Sequence, residues 1–139
     1  YIFKKTKGQI DNKKFIKNKK INFKNVKLQF LDFQKSCIEK IRYLKKQHSN
    51  IVAFGAAQMM PVLAYHAKTN FSFLKALYDD NPNRIGKNLP MIKCKIQKTD
   101  VKKIQNSMVI ITANEMCRQI IDRLNKINPL RIVTWYNDF

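Results

Sequence analysis

Two kinds of apolar pattern alternate along most of the chain. Phe30, Phe33, Cys37, Ile41 and Leu44 fall 3, 4, 4 and 3 residues apart, which is one face of an amphipathic helix running from about Gln29 to Gln47. Ser49-Asn50 breaks that period. Ile51-Val52-Ala53-Phe54 is then a short continuous apolar run, the mark of a strand covered on both faces. Gly55-Ala56-Ala57 permits a tight turn, and Gln58 to Ala67 predicts a second helix with Met59, Met60, Val62, Leu63 and Ala67 apolar. Pro61 is tolerated in its first turn, where a missing N–H has no intrahelical partner.

The same alternation continues to the end of the chain. Phe71 to Tyr78 predicts a second strand, stopped by the turn chemistry of Asp79-Asp80-Asn81-Pro82-Asn83. Arg84 to Pro90 reads as a polar loop containing Gly86, and Met91 to Ile96 as a short edge strand. Thr99 or Asp100 is placed to cap a brief helical turn reaching Ile104. Met108-Val109-Ile110-Ile111 is another buried strand. Asn114 is expected to cap the following helix, whose Met116, Ile120, Ile121, Leu124 and Ile127 keep a helical face until Asn128-Pro129. Leu130 to Trp135 closes the series as a strand.

Strands and helices that alternate with short turns predict a three-layer α/β sandwich with a mainly parallel sheet. Ligands of such folds sit beyond the carboxyl ends of the strands. Those ends are Gly55 to Gln58, Asp79 to Asn83 and Thr112 to Asn114.

The first 27 residues have a different character. Tyr1 to Lys5 reads as the end of an apolar strand. Residues 6–27 set single apolar residues among Lys and Asn without sustained period, as in a linker with one short strand around Lys20 to Phe23. The expected division is a lysine-rich linker over 1–27 and one domain over 28–139. Tyr1 in place of a start methionine suggests a piece of a longer protein.

Composition changes this picture mainly through charge. The 139 residues carry 28 Lys+Arg against 9 Asp+Glu, a formal net charge of +19. Such an excess ordinarily points to a polyanion, because Lys and Arg release counterions from phosphates. Here 23 of the basic residues are Lys and 5 are Arg, whereas phosphate forks and base readers favour Arg. Lys, Asn and Ile supply 54 of 139 residues and share AT-rich codons, which gives much of the charge a source unrelated to binding. Residues 1–27 hold ten Lys and one acid, so the basic arm is the one stretch that favours a nucleic-acid module. Hydrophobic residues make up 45%, enough for a packed core. No apolar run is long enough to span a bilayer and the first residues lack a signal arrangement. Cys37, Cys94 and Cys117 fit neither a disulfide framework nor a metal half-site; they read as reduced, buried thiols of a cytoplasmic protein with no metal.

Candidate chemistry gathers at the first turn. Gly55-Ala56-Ala57-Gln58-Met59-Met60 stands where a GxGxxG dinucleotide loop would lie and keeps its first glycine alone. Asp79 and Asp80 follow 24 and 25 residues later, near the position of an acid that takes a ribose hydroxyl; they also suit a simple turn. Arg84 and Lys87 can meet phosphate oxygens or solvent. His66 lacks a carboxylate at i+3 or i+4, so it reads as a packing or surface residue. His48 suits a helix C-terminus. Tyr65 and Trp135 suit core or interface positions, and Met59-Met60 an apolar wall of the crevice.

With these residues in view, the run from Ile51 to Ile96 resembles the C-terminal domain of sugar C-methyltransferases. The resemblance is carried by Gly55-Ala56-Ala57, Asp79-Asp80-Asn81-Pro82, Arg84-Ile85-Gly86-Lys87 and Pro90, and it extends over about residues 28 to 136. It implies a Rossmann-like domain that positions a nucleotide-linked deoxysugar. S-adenosylmethionine and the proton-abstracting residues would belong to a separate upstream domain, with no cofactor in this chain and no catalytic residue of its own. Tyr1 to Lys5 resembles the last strand of that upstream domain. The implied substrate contacts are Gly55, Ala56, Ala57, Gln58, Asp79, Asp80, Asn81, Arg84, Lys87 and Asn114. The chain departs from the family pattern at Gln58-Met59-Met60, where a basic residue is common, and at Thr112-Ala113-Asn114, where a proline-aromatic-asparagine stretch is expected. A glycine turn with Asp-Asp-Asn-Pro also occurs in sugar-nucleotide domains of acyltransferases. The alternatives are such a domain of another transferase, a nucleotide-binding regulatory domain, or a nucleic-acid module using the basic arm.

Overall fold

The computed structural model of the protein describes residues 22–135. The expectation for Tyr1 to Lys5 lies outside them, as does most of the lysine-rich stretch. Five strands form one sheet, β1 (Ile51–Phe54), β2 (Ala76–Tyr78), β3 (Ile96–Gln97), β4 (Met108–Ile111) and β5 (Arg131–Thr134). Their order is β3-β2-β1-β4-β5 and every pairing is parallel. The strand order reverses between β1 and β4, so the crevice beyond their carboxyl ends is the topological switch point of an α/β, Rossmann-like sheet.

Alternate residues of the strands feed two separate cores. Ile51, Ala53, Leu77, Met108 and Ile110 face α1 (Phe23–Gln47) and α2 (Met60–His66), packing with Cys37, Leu44 and Leu63. Val52, Phe54, Tyr78, Val109 and Ile111 face the other way, against Ile104 of α3 (Val101–Gln105) and Ile120, Leu124 and Ile127 of α4 (Cys117–Ile127). Each of the Val, Leu, Ile, Met and Phe side chains among them contributes about 1.5–3 kcal/mol when removed from water, before entropy is counted. Burial on both sheet faces explains why β1 and β4 are apolar at every position.

Several elements differ from the expectation. α1 begins at Phe23, capped by the Asn22 side chain on the N–H groups of Lys24 and Asn25. Asn22 and Phe23 are therefore cap and helix, not strand. Its buried face is Cys37, Ile41 and Leu44, while Phe23, Val26, Leu28, Phe30 and Leu31 stay exposed. α2 starts at Met60, with Pro61 in its first turn. β2 pairs only over Ala76–Tyr78 because Phe71 adopts φ +55 and turns its fully buried ring into the core beside Trp135. β3 is reduced to Ile96–Gln97. α3 is capped by Asp100, whereas Asn114 caps nothing: it opens a 3-10 turn, Asn114–Met116, before α4.

Candidate functional site

The switch-point crevice is built by three turns that hold one another. Gly55 ends β1 at φ +91, and its N–H donates to Tyr78 O at 2.8 Å, continuing the ladder one residue past the strand. An ideal Cβ at Gly55 would sit 2.5 Å from Ala113 Cβ, so the glycine allows the turn after β1 to touch the turn after β4. Thr112 fixes the second side of that contact. Its N–H donates to Phe54 O at 3.0 Å, and its buried hydroxyl lies between the carbonyls of Phe54 and Gly55.

Asp79, at the end of β2, joins the third turn to the first. It is 7% exposed. Its Oδ2 accepts from Ala56 N–H at 2.7 Å and its Oδ1 from Asn81 N–H at 2.8 Å. Arg84 Nη1 lies 3.3 Å from Oδ2 and 3.2 Å from Ala56 O, closing a ring of carboxylate, guanidinium and main chain. Asn81 repeats the turn chemistry, its Oδ1 taking Asn83 N–H at 3.0 Å. Charge-assisted bonds of this kind are stronger than neutral ones, and here they organise the loop.

A cleft of about 390 Å³ opens against this scaffold, lined by Ala57, Gln58, Met59 and Arg84 on one side and by Asn114, Glu115 and Met116 on the other. Ala57, Gln58, Arg84 and Asn114 are thus brought together. Gly55, Ala56 and Asp79 stand behind them as support. Asp80 points elsewhere, accepting from Thr99 Oγ1 at 2.6 Å and pairing with Arg123 of α4. Lys87 is exposed and does not line the cleft; its main chain pairs with Arg84 and Ile96. Met59 does line the wall, but Met60 is fully buried in the core. The sequence placed Thr112 at a strand end but gave it no role, because that role depends on a carbonyl 57 residues away, and it put Glu115 and Met116 on a helix rather than in the cleft.

The other singled-out residues have structural roles. His66 is ringed edge-on by Phe30, Phe33 and Tyr65, and its Nδ1 is buried without a hydrogen-bond partner among the described residues. His48 is the C-cap of α1. Trp135 is in the core, but Tyr65 is exposed. The three cysteines are free; Cys37 is buried, and Cys94 and Cys117 are half-buried. Burial pushes the Cys37 and Cys94 thiols above their ordinary value. Among the described residues, no group of three or more His, Cys, Asp or Glu gathers for a metal, and no helix is long and apolar enough to cross a membrane.

Comparison with known families decides the assignment. The model of the C-methyltransferase C-terminal domain matches residues 11–131. The chain belongs to that family. Neither the curated proteins nor the solved structures contain a match. The family match starts inside the lysine-rich stretch and runs into β5, so it covers every turn that lines the cleft. In this C-methyltransferase C-terminal domain the ionisable groups lining the cleft are Arg84 and Glu115. Gln58 and Asn114 add amides that both donate and accept. The cleft thus offers one guanidinium, one carboxylate and two amides, and among its lining residues no nucleophile stands beside a base.

Proposed function

We propose that this chain is the substrate-positioning C-terminal domain of an S-adenosylmethionine-dependent C-methyltransferase acting on a nucleotide-linked sugar. The observation that carries this reading is the composition of the switch-point cleft. Arg84 is held by Asp79 and offers its guanidinium to a phosphate oxygen, while Gln58, Asn114 and Glu115 suit sugar hydroxyls. The methyl donor fits poorly here. Both oxygens of Asp79 hold main-chain N–H groups, and Asp80 is engaged by Thr99 and Arg123, so neither carboxylate stands free for the ribose of S-adenosylmethionine. In this reading the donor and the proton-abstracting group belong to an upstream domain, and the chain alone is inert.

The exposed Phe23, Val26 and Phe30 of α1, with Val62 and Tyr65 of α2, provide apolar surface for contact with that domain. Three free thiols suit a reducing, cytoplasmic compartment. The test is a titration of the chain, followed by amide shifts, with thymidine diphosphate-glucose, uridine diphosphate-glucose and S-adenosylmethionine in turn. Saturable shifts at Ala57, Gln58 and Asn114 are expected with a nucleotide sugar and none with S-adenosylmethionine. Saturable binding of the methyl donor, or methyl transfer by the isolated chain, would sink the reading.

A further inference from the structure

A second cleft lies on the α3 side of the sheet, away from the switch point. It measures about 380 Å³, within the range of small-molecule sites. One wall is apolar, made by Val52 of β1 and by Ala76 and Tyr78 of β2. The polar end is set where Asn50, Lys75 and Ser107 lead into β1, β2 and β4. That end is rigid: Asn50 Nδ2 donates to Asn106 O at 2.6 Å and lies 2.9 Å from Ser107 Oγ, which donates to Lys103 O at 2.6 Å.

Two independent features point to a ligand. The first is charge. Lys75, Lys102 and Lys103 line the cleft with no acid among its lining residues, and Asp100 lies 3.4 Å from Lys103. Among the described residues no carboxylate pairs with Lys75 or Lys102. The second is Tyr78, which is 1% exposed and whose hydroxyl has no hydrogen-bond partner among the described residues. Buried polar groups are nearly always satisfied, so the orphan hydroxyl of a residue that lines the cleft marks a place where a partner is missing. Burial first, then the charges of Asp100 and Cys94, hold the Tyr78 hydroxyl above its ordinary pKa of 10.0, so at neutral pH it is a donor.

We propose that this cleft binds a small organic phosphate, with its phosphate between the lysines and Tyr78 and its apolar part on Val52 and Ala76. Lysine ammonium groups act as point charges for phosphate and need no fixed fork geometry. The apolar wall distinguishes an organic phosphate from the bare ion. The site is separate from the switch-point cleft and independent of what that cleft binds, so the two ligands would occupy the chain together.

The experiment follows amide shifts of the chain titrated with adenosine monophosphate and, separately, with inorganic phosphate at constant ionic strength. Saturable shifts are expected at Tyr78, Gln97 and Ser107 whether or not Gln58 and Asn114 also move, and adenosine monophosphate should bind there more tightly than phosphate. Replacing the exposed Lys75 and Lys102 together by alanine should weaken binding at least tenfold. Tyr78→Phe should weaken it about tenfold, the size expected for one hydrogen bond to a charged group, while leaving the melting temperature of the unliganded chain unchanged or higher. Linear shifts that sodium chloride reproduces, or unchanged affinity in the lysine variant, would overturn the site. Equal affinity for the two probes would overturn the organic part of the proposal.

Discussion

At φ +91, Gly55 occupies backbone space that L side chains rarely enter, and its turn lies against Ala113 with no room for a methyl group. Gly55→Ala meets two separate costs. The left-handed backbone costs roughly 1–2 kcal/mol and the crowding against Ala113 about 1–3 kcal/mol. The variant should lose about 2–4 kcal/mol in urea unfolding, once partial relaxation is allowed. Adding Ala113→Gly should return the crowding share and leave the backbone share. If the second change restores nothing, the close approach of the two turns is not what constrains position 55. Asp79 plays the complementary part in polar terms, because its two oxygens satisfy one N–H of its own turn and one of the turn after β1.

α3 is five residues long, too short to persist on helix propensity, so its N-cap and its packing through Ile104 carry it. Asp100 accepts from Lys103 N–H at 3.2 Å, and this bond, ahead of the nearby Lys103 charge, holds the carboxyl below its ordinary 3.8. A depressed pKa in the folded chain means the stabilisation is present above pH 3.8 and is lost as pH falls below it. Hydrogen-exchange protection of Ile104, corrected for intrinsic rates, should therefore drop on acidification in the wild type. In Asp100→Asn, which caps without titrating, it should stay level; an equal drop there would exclude the cap as the cause. The sequence narrowed this cap to Thr99 or Asp100, and β1 and β4 were legible outright, because four apolar residues between polar breaks leave a buried parallel strand as the natural reading. Phe71 to Lys75 was not. An apolar residue looks the same in a strand as in a turn that buries it, and only the positive φ of Phe71 separates the two. The Gly55 turn was visible as a glycine after a strand. The clamp of Asp79 on Ala56 spans 23 residues and the bond of Thr112 to Gly55 spans 57, so neither leaves a local spacing to read.

The molecule as a whole keeps neutral groups in both of its cores, and this shapes its response to alkali. Cys37 and Cys94 lie on the α1 and α2 side of the sheet and Tyr78 on the other, all with pKa values raised chiefly by burial. In the unfolded chain the two thiols ionise as pH passes about 9.0, while in the folded chain they stay protonated. The unfolded state then binds fewer protons, so the stability these groups contribute is present below pH 9 and is lost as pH rises toward their folded values. A second effect runs the other way, because deprotonation of the 23 lysines near pH 10.4 relieves the self-repulsion of a chain at +19. The thiols act first. Unfolding free energy should therefore fall between roughly pH 8.5 and 10, before most lysines titrate. Replacing Cys37 and Cys94 together by alanine lowers stability at every pH by opening space in the core, yet it should flatten this slope. Urea unfolding at pH 7.5, 8.5 and 9.5 separates the two effects, since the packing loss is a constant offset and the thiol contribution is a gradient. A gradient that persists undiminished in the alanine variant would mean that the buried thiols do not govern the alkaline limb.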